Sequence, residues 1–439
     1  ASHKLNRLIY EGGAPPTILE ELMSGLPPRT EKDALLELYF RDINYTRLPI
    51  HEADFRQSYD DLMEFRWGDA EERLGDDGAR HLPFLSLLYS ILAIAKQANP
   101  EEMESAKEGA TRLYHLCRKC TLVASVIRVD HIDLVLTHLF TARFLTVHRQ
   151  SAEAWSQLGT TIRAAQAIGL HRDGSKLGMD AVTTERRRRI WALIFWMDKT
   201  TSILLGRPQA IQEMHCDTLP PSDIDIDTMP RAVKPHPPKP PCQDPNAPPG
   251  IYAYIAIRHE LAKLTGRIVE HFQNLSSPRK YSDCMQLDED LEKFAQGWPG
   301  PYRSEAMGGA DRRFDQACPW LALHRYLLNI EYHYVRIALH RPCELQLIYC
   351  GETRLLTAFT ARRRPAKLRQ VLAIAESCIP IRKDGQADST RVQARCQVAE
   401  QSCSQSAHGR SLSSLQCDHD DRHLAAFGSQ LSRSAGTNG

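Results

Sequence analysis

The chain has 439 residues, of which 42% are hydrophobic, so it is long enough for two ordinary domains or one large helical domain with a sizeable core. Its 55 lysines and arginines nearly balance 54 aspartates and glutamates, which excludes a net positive field that would hold the whole protein on nucleic acid. The longest apolar run, residues 82–95, is too short to span a membrane, which takes about 20 apolar residues.

The first residues contain no apolar core of a secretory signal and do not begin with methionine. We therefore expect the chain to be part of a longer protein. Residues 1–30 are rich in glycine and proline and are predicted to form an extended lead-in.

Helical spacing of apolar residues follows the lead-in. Residues 31–44 and 51–65 each predict an amphipathic helix, the second through Phe55, Tyr59 and Leu62. Four further helices are predicted over residues 82–96, 105–128, 131–147 and 153–170. In the last of these, one apolar stripe is predicted to run from Trp155 through Leu158, Ile162 and Ala165 to Gly169. No strand or hairpin signal intervenes, so the predicted fold class is all-α.

The twelve cysteines are scattered without a framework, which is typical of reduced thiols in an intracellular protein. A binuclear zinc cluster needs six thiolates spaced roughly as C-x2-C-x6-C and then C-x2-C-x6-C, because two zinc ions share ligands in tetrahedral geometry. The close pair Cys117 and Cys120 begins such a pattern, but the third position is Ile127. We therefore predict two thiols on one helix, with no metal and no cofactor in this chain.

A long helix is predicted from Glu185, where the sequence is ERRRRIWALIFWMDKTTSILLGRPQAI. Glycine ends helices and proline cannot continue them, so the helix stops at Gly206-Arg207-Pro208. Successive residues point about 100° apart around a helix. The four arginines are residues 186–189 and include Arg187 and Arg188. Only one or two of the four can therefore share the apolar face. We interpret them as paired or solvated rather than as DNA contacts or a nuclear import signal.

Asp198 falls on the apolar face of this helix, together with Trp191 and Phe195, which are predicted to point into the core. A buried carboxylate must be ion-paired or hydrogen-bonded. We predict that Arg207, or an arginine of a neighbouring helix, pairs with Asp198 and fixes the packing. Gly206 and Pro208 are predicted to shape a turn rather than bind a ligand.

Nine prolines between Pro230 and Pro249 predict an extended linker. Helices are again predicted over residues 252–272 and 319–340, with one short helix near residues 287–294. Beyond about residue 360 the only aromatic residue is Phe427, and this composition predicts disorder. The predicted divisions are a lead-in at 1–30, helical parts at 31–228 and 251–345, a linker at 229–250 and a divergent, largely disordered tail at 346–439.

Four of these stretches resemble one family. They are LPPRTEKDALLELYFRDINYTRLPIHEADFRQSYDDL, GLHRD at residues 169–173, the arginine-rich helix ending in LLGRPQAI, and LHRP at residues 339–342. Together they resemble the regulatory middle homology region of fungal-specific transcription factors, whose DNA-binding module is a binuclear zinc cluster. The resemblance covers residues 27 to about 345. The motif residues that match are Arg187, Arg188, Trp191, Phe195, Asp198, Gly206, Arg207, Pro208, His340, Arg341 and Pro342.

The resemblance implies a nuclear, non-enzymatic regulator of RNA polymerase II transcription. Zinc would belong only to the family's cluster, which this chain lacks, and DNA would be bound through that missing N-terminal module. The resemblance further implies transcription machinery or co-regulator proteins as partners, with a small-molecule effector and a homodimer left open. Gln209 replaces a proline of the family pattern, and the sequence diverges from the family after LHRP.

Two other hypotheses remain. The chain could be a cluster-free helical regulator or effector-binding module that acts through partner proteins. As a distant third, the acidic motif at Asp60, Asp61 and Glu64 resembles the metal motif of class I terpene cyclases, although their second metal motif is absent.

Three further motifs are rejected as sites. The kinase-like His171-Arg172-Asp173 is followed by Gly178 where a metal-binding asparagine is needed. The aspartates that begin at Asp223 do not complete a calcium loop. The histidines on the predicted helix 319–340 are interpreted as packed side chains rather than metal ligands. They are His324, His333 and His340.

Overall fold

The computed structural model describes residues 18–46, 50–65, 76–98, 105–127, 130–226, 246–276 and 281–349, with a few isolated positions. All of them belong to the first of two units into which the chain divides, Ala1–Val392. Regular structure in this part of the chain is helical, without strands, which confirms the all-α fold class. None of the described helices is long and apolar enough to cross a membrane. Most of the predicted linker and nearly all of the predicted tail lie outside the described residues.

The described α-helices are, in chain order, α1 Ile18–Ser24, α2 Arg29–Leu38, α3 Glu52–Glu64, α4 Asp76–Ala98, α5 Ser105–Ile127, α6 Ile132–Val147, α7 Ser151–Ala167, α8 Ala181–Leu205, α9 Ala253–Gln273, α10 Tyr281–Gln296 and α11 Leu321–Tyr349. A π-helical turn, Tyr39–Ile43, and a 3-10 turn, Asn44–Thr46, extend α2. Shorter 3-10 turns follow at Glu213–His215, Gly300–Tyr302 and Glu305–Met307.

Helix α4 is the centre of the first hydrophobic core, because residues 82–95 are buried on every side. It packs chiefly against α5 and α6, while α7 covers α6. On α5, Cys117 and Cys120 face α4, and their thiols donate to the carbonyl oxygens of Ser86 and Leu82 at 3.4 and 3.6 Å. Burial raises the pKa of Cys117 to about 11 and that of Cys120 well above its usual range.

A second hydrophobic core lies among α9, α10 and α11, around fully buried side chains such as Leu261, Leu291 and Leu328. Helix α8 lies between the two cores. Trp191 belongs to the first core, whereas Ala192 belongs to the second. Eighteen side chains of this 25-residue helix are buried, so α8 is enclosed on all sides rather than amphipathic as predicted.

Besides the earlier starts of α4 and α8, the described helices depart from prediction in three places. Residues 18–24 form α1 instead of an extended lead-in, because Ile18, Leu19 and Leu22 are buried against the first core. Helix α10 covers 16 residues rather than a short stretch. Helix α11 continues through Pro342, although a proline inside a helix costs about 3 kcal/mol.

Candidate functional site

Helix α8 and the segment that follows it form the candidate site. The carboxylate of Asp180 caps the start of α8 by accepting from Thr183 N at 3.0 Å. Gly206 ends the helix with φ +62°, a left-handed conformation that glycine adopts without steric cost. The chain then reverses, and residues 207–226, here called the return segment, run back along α8. Four backbone amides of the return segment are held by carboxylates that lie under it.

Asp198 holds the beginning of the return segment. Its carboxylate oxygens accept from Ala210 N and Ile211 N, both at 3.0 Å. Lys199, the next residue, completes the site with an ammonium 3.3 Å from Asp198 and a hydrogen bond to the Ile211 carbonyl. Asp198 is 3% exposed and Lys199 is 2% exposed. The carboxylate is thus saturated by hydrogen bonds that fix the turn after α8.

The predicted partner of Asp198 was wrong. The guanidinium of Arg207 lies over the ring of Trp155, 4.9 Å from its centroid, on the outer side of the turn. Lys199 pairs with Asp198 instead, and its ammonium also lies 4.8 Å from the centroid of the Phe195 ring. Burial lowers the pKa of Lys199, and the neighbouring Asp198 opposes that effect. Pro208 lies beside this turn, where its carbonyl oxygen is 3.4 Å from the hydroxyl of Ser202.

Glu185 holds the far end of the return segment. Its carboxylate accepts from Ser222 N at 2.9 Å and from Arg189 Nε at 3.1 Å. The guanidinium of Arg189 lies 3.4 Å from the centroid of the Tyr252 ring and also donates to the Ile224 carbonyl. Burial raises the pKa of Glu185, although Arg189 opposes the shift. This arrangement ties α8 to the return segment and to the residue that precedes α9.

Arg188 and Asp173 form the central ion pair. Arg188 Nε and the Asp173 carboxylate are 2.8 Å apart. Asp173 also accepts from Leu219 N at 3.0 Å and from the hydroxyl and backbone N–H of Ser175. Burial raises the pKa of Asp173, but hydrogen bonds from Arg188, Ser175 and Leu219 outweigh it and hold the pKa well below its usual range. The carboxylate stays ionised and bound.

The remaining two arginines of the run also have protein partners. Arg187 donates to the Ile168 carbonyl at 2.9 Å, at the end of α7. Arg186 pairs with Asp54 of α3. The expectation that only one or two of the four share the apolar face concerned one side of the helix. Arg187, Arg188 and Arg189 are all buried, because α8 is enclosed on more than that side. Neighbouring elements enclose α8 and supply carbonyl and carboxylate acceptors for three sides of the helix.

The apolar residues of α8 join the two cores. Trp191 and Phe195 are each 2% exposed in the first core. Trp196 donates from its indole N–H to Glu331 of α11. Arg258 of α9 pairs with the same carboxylate at 2.9 Å and stacks 3.3 Å from the Trp196 ring centroid. Three helices therefore meet at one carboxylate.

The LHRP motif lies inside α11. His340 Nε2 is 3.3 Å from Asp288 of α10, a carboxylate that also binds Arg336 at 2.7 Å. Burial raises the pKa of Asp288, but His340 and Arg336 outweigh it and lower the pKa well below its usual range. Arg341 is exposed, and Pro342 lies within the helix. The motif therefore ties α11 to α10 through His340. This contact is separate from the carboxylates that hold the return segment on α8.

Sequence reasoning missed several residues of this site. Asp173 was considered only within the family-like GLHRD stretch and the kinase-like motif, and Glu185 only at the start of the arginine-rich helix. Lys199, Arg258 and Glu331 were not singled out. Glu185 lies four residues before Arg189 on a helix, a spacing that could have indicated the pair. The partners of Arg188 and of the return segment come from distant parts of the chain, so no local spacing indicates them.

The acidic motif of the distant third hypothesis and two of the rejected motifs have ordinary surroundings in the structure. Asp60, Asp61 and Glu64 are exposed on α3. Asp223 accepts from Gly250 N at 2.9 Å. On α11, His324 contacts the Tyr45 carbonyl at 2.8 Å and stacks on Tyr254, with ring centroids 4.3 Å apart.

Chemically, the α8 cluster is a set of carboxylates whose oxygens are occupied by arginine, lysine and backbone donors. Carboxylate oxygens that already accept these hydrogen bonds have no free lone pair directed toward a substrate. The geometry therefore supports a clamp that fixes the return segment on α8.

Comparison with known proteins gives a consistent picture. A family described as the fungal specific transcription factor domain matches residues 36–295, more than half of the chain. The match contains α8 and the whole return segment. No solved structure matches the chain significantly.

Several curated transcription factors are similar to the chain. It is 26% identical over 299 residues to the Zn(2)-C6 fungal-type transcription factor pigI of Monascus ruber, covering 66% of this chain and 34% of pigI. It is 23% identical over 350 residues to the Equisetin cluster transcription factor eqxF of Fusarium heterosporum, covering 76% and 47%. It is 29% identical over 273 residues to the transcription factor yanR of Aspergillus niger, covering 58% and 32%. The chain thus spans about a third to a half of the length of these relatives.

Proposed function

The chain belongs to the fungal-specific transcription factor domain family, and on this premise we propose that residues 1–439 form the regulatory part of an RNA polymerase II transcription factor. The family and the relatives named above are transcription factors rather than enzymes. The observation that carries the proposal is that the matched region contains α8, whose arginines are directed to protein acceptors. A basic run used in this way stabilises a domain and is not free to contact phosphates.

Sequence-specific DNA binding is assigned in this proposal to a binuclear zinc cluster elsewhere in the full-length protein. Two facts support this assignment of DNA binding. The name of pigI includes the Zn(2)-C6 type, and this chain covers only 34% of pigI. The six-cysteine spacing of such a cluster does not occur in residues 1–439. Zinc would accordingly be bound by the cluster and not by the helical domain.

The proposed partners follow from that assignment. DNA is bound through the cluster, and the helical domain contacts transcription machinery or co-regulator proteins in the nucleus. Within the domain, the motif residues of α8 fix the return segment, and His340 fixes α11 against α10. A small-molecule effector and a homodimer are further proposals for the same domain.

Two measurements test the proposal. The gene product, tagged at its own locus, should be larger than residues 1–439, carry the six-cysteine spacing and crosslink to specific promoters. Purified residues 1–439 should give no sequence-selective shift of promoter DNA in a gel assay at physiological salt. A sequence-selective shift that survives this salt would overturn the assignment of DNA binding to another module.

The same tagged gene product also distinguishes the alternative hypothesis, a cluster-free regulator that acts through partner proteins. If the tagged product has the mass of residues 1–439 and reaches promoters only through a co-precipitating DNA-binding protein, the cluster assignment is wrong. Fusion of residues 1–439 to a heterologous DNA-binding domain should change expression of a reporter gene under either hypothesis. An unchanged reporter would contradict a regulatory role altogether.

A further inference from the structure

Three exposed apolar side chains lie on the elements that come together at the end of α8. The cation–π contact of Arg207 with Trp155 joins the turn after α8 to the first turns of α7. Gln273 Nε2 donates to the Gly206 carbonyl at 2.9 Å and brings the end of α9 to the same place. Leu275, two residues further on, is 91% exposed, Leu204 is 52% exposed and Trp155 is 37% exposed.

Trp155 begins the predicted apolar stripe of α7, but it is only partly covered. Leu158, Ile162 and Ala165 are buried as expected, but Trp155 lies at the edge of the buried arc of α7. Gly159 and Arg163 follow at i+4 and i+8 on the same outward side of the helix. A Cβ added to Gly159 would meet no atom within 4 Å, so the helix surface beside Trp155 is open.

The side chains of this surface carry only positive charge, and the exposed Glu153 and Glu270 lie just outside it. Residues 155–167, 200–208 and 271–276 contain no aspartate or glutamate. Arg163 donates to Gln166 at 3.0 Å, and Arg207 stacks on Trp155. Across the described ranges, neither guanidinium is paired with a carboxylate. By contrast, the charges of the chain as a whole are nearly balanced. The surface thus combines apolar anchors with two cations that are available to a carboxylate of another molecule. We name it the basic apolar face; its residues are Trp155, Gly159, Arg163, Leu204, Arg207 and Leu275.

We propose that the basic apolar face docks an acidic amphipathic helix of a partner protein. Leucine or phenylalanine side chains on one side of that helix contact Trp155, Leu204 and Leu275. Carboxylates beside them pair with Arg163 and Arg207. Exposed aromatic and arginine side chains of this kind contribute most strongly to protein interfaces. The open surface at Gly159 allows the partner helix to approach the backbone of α7.

The probe is a fluorescein-labelled synthetic peptide of about 16 residues, with leucines at helical i, i+3, i+4 and i+7 spacing and glutamates between them. Its fluorescence anisotropy is measured against purified residues 1–439. Controls are a scrambled peptide of the same composition and a peptide with lysine in place of each glutamate. We expect binding of the patterned acidic peptide only.

Surface variants locate the contact. Arg207→Gln and Leu275→Ser should each weaken binding about tenfold. Gly159→Glu should weaken it far more than Gly159→Gln, because the two side chains have the same size and only the first repels carboxylates. Arg149→Gln, at an exposed position on the loop before α7, is the matched control and should leave binding unchanged. Thermal unfolding midpoints of all variants should be no more than a few degrees below that of the wild type, which shows that they fold.

Several outcomes would overturn the proposal. Undetectable binding of the patterned peptide, or equal affinity for the scrambled peptide, shows that there is no amphipathic docking. Binding that is unaffected by Arg207→Gln and Leu275→Ser places the contact elsewhere. If the chain dimerises and Leu275→Ser abolishes dimerisation without changing peptide binding, the face is an interface between copies of this chain.

Discussion

Arg188 and Asp173 form an ion pair in which Nε and the carboxylate oxygen are 2.8 Å apart and neither side chain is more than 3% exposed. The same carboxylate holds Leu219 N at 3.0 Å. The pair therefore links the interior of α8 both to the turn after α7 and to the return segment. Its two members are fifteen positions apart in sequence and are brought together by that turn.

Removal of one member of the pair should be strongly destabilising. Arg188→Leu leaves Asp173 buried without its cation, and such a change costs about 3–5 kcal/mol. Chemical denaturation of residues 1–439 measures the free energy of unfolding. Arg172→Leu is the control, because Arg172 is half exposed in its pair with Asp217 and should cost about 1 kcal/mol or less. A loss below about 1 kcal/mol for Arg188→Leu would show that the buried pair does not stabilise the fold.

The turn after α8 requires glycine. Gly206 has φ +62°, and an L side chain in this conformation costs roughly 1–2 kcal/mol, so Gly206→Ala should lower the free energy of unfolding by that amount. Gly159→Ala is the matched comparison, since Gly159 lies inside α7 with nothing within 4 Å of an added Cβ. It should raise stability by about 0.5–1 kcal/mol. Equal effects of the two substitutions would contradict this difference in backbone conformation.

Acid should destabilise the domain through its buried histidines. Burial lowers the pKa of His138, His324 and His333 to about 4 and that of His259 to about 3. In the unfolded chain these imidazoles take up protons near pH 6.5. The pKa values in the folded protein are lower than in the unfolded chain. The contribution of these neutral histidines to the free energy of unfolding is therefore fully present above about pH 6.5 and is lost as the pH falls toward 4. The loss is up to about 1.4 kcal/mol per pH unit for each histidine.

The measurement is the free energy of unfolding between pH 7 and pH 4. His259→Gln should reduce its slope, whereas His215→Gln, at an exposed position, should not. Asp173 and Asp288 have lowered pKa values and add their own loss only below about pH 4. A slope that is the same for wild type and His259→Gln would contradict the neutral, buried state of this imidazole.

Asp198 should control the local order of the turn as well as global stability. Asp198→Asn leaves Lys199 buried without an anion and removes one of the two acceptors for Ala210 N and Ile211 N. We expect a loss of about 3 kcal/mol or more. Asp198→Asn combined with Lys199→Met should cost less than Asp198→Asn alone, because the double variant leaves no unpaired buried charge. Additive losses would indicate that the two side chains do not interact.

Much of the helical architecture could be predicted because it depends on local patterns. Helices α5 and α6 begin and end within a residue or so of the predicted bounds, since apolar spacing and short polar breaks define them. The end of α8 at Gly206 follows from glycine and proline chemistry. The helix through Pro342 was not predictable in this way, because contacts such as that of His340 with Asp288 lie outside the local sequence.

The site was predictable only in part. The sequence indicated that Trp191, Phe195 and Asp198 belong to the interior, and they are buried. It could not supply the partners of the arginines, because Asp173, Ile168 and Asp54 lie in other elements. Helix periodicity assumes one solvent face, and α8 has none over most of its length because two cores enclose it.

The central claim is that buried carboxylates hold the return segment on α8, and amide hydrogen exchange of residues 1–439 tests it most directly. The amides to observe belong to Ala210, Ile211, Leu219 and Ser222, which bond to Asp198, Asp173 and Glu185. Although they lie outside any helix, they should exchange far more slowly than the amide of Met214, a residue that is 84% exposed. Asp198→Asn should release Ala210 and Ile211 before Leu219 and Ser222. If all four exchange as fast as Met214 in the wild type, the return segment is not clamped and the claim is contradicted.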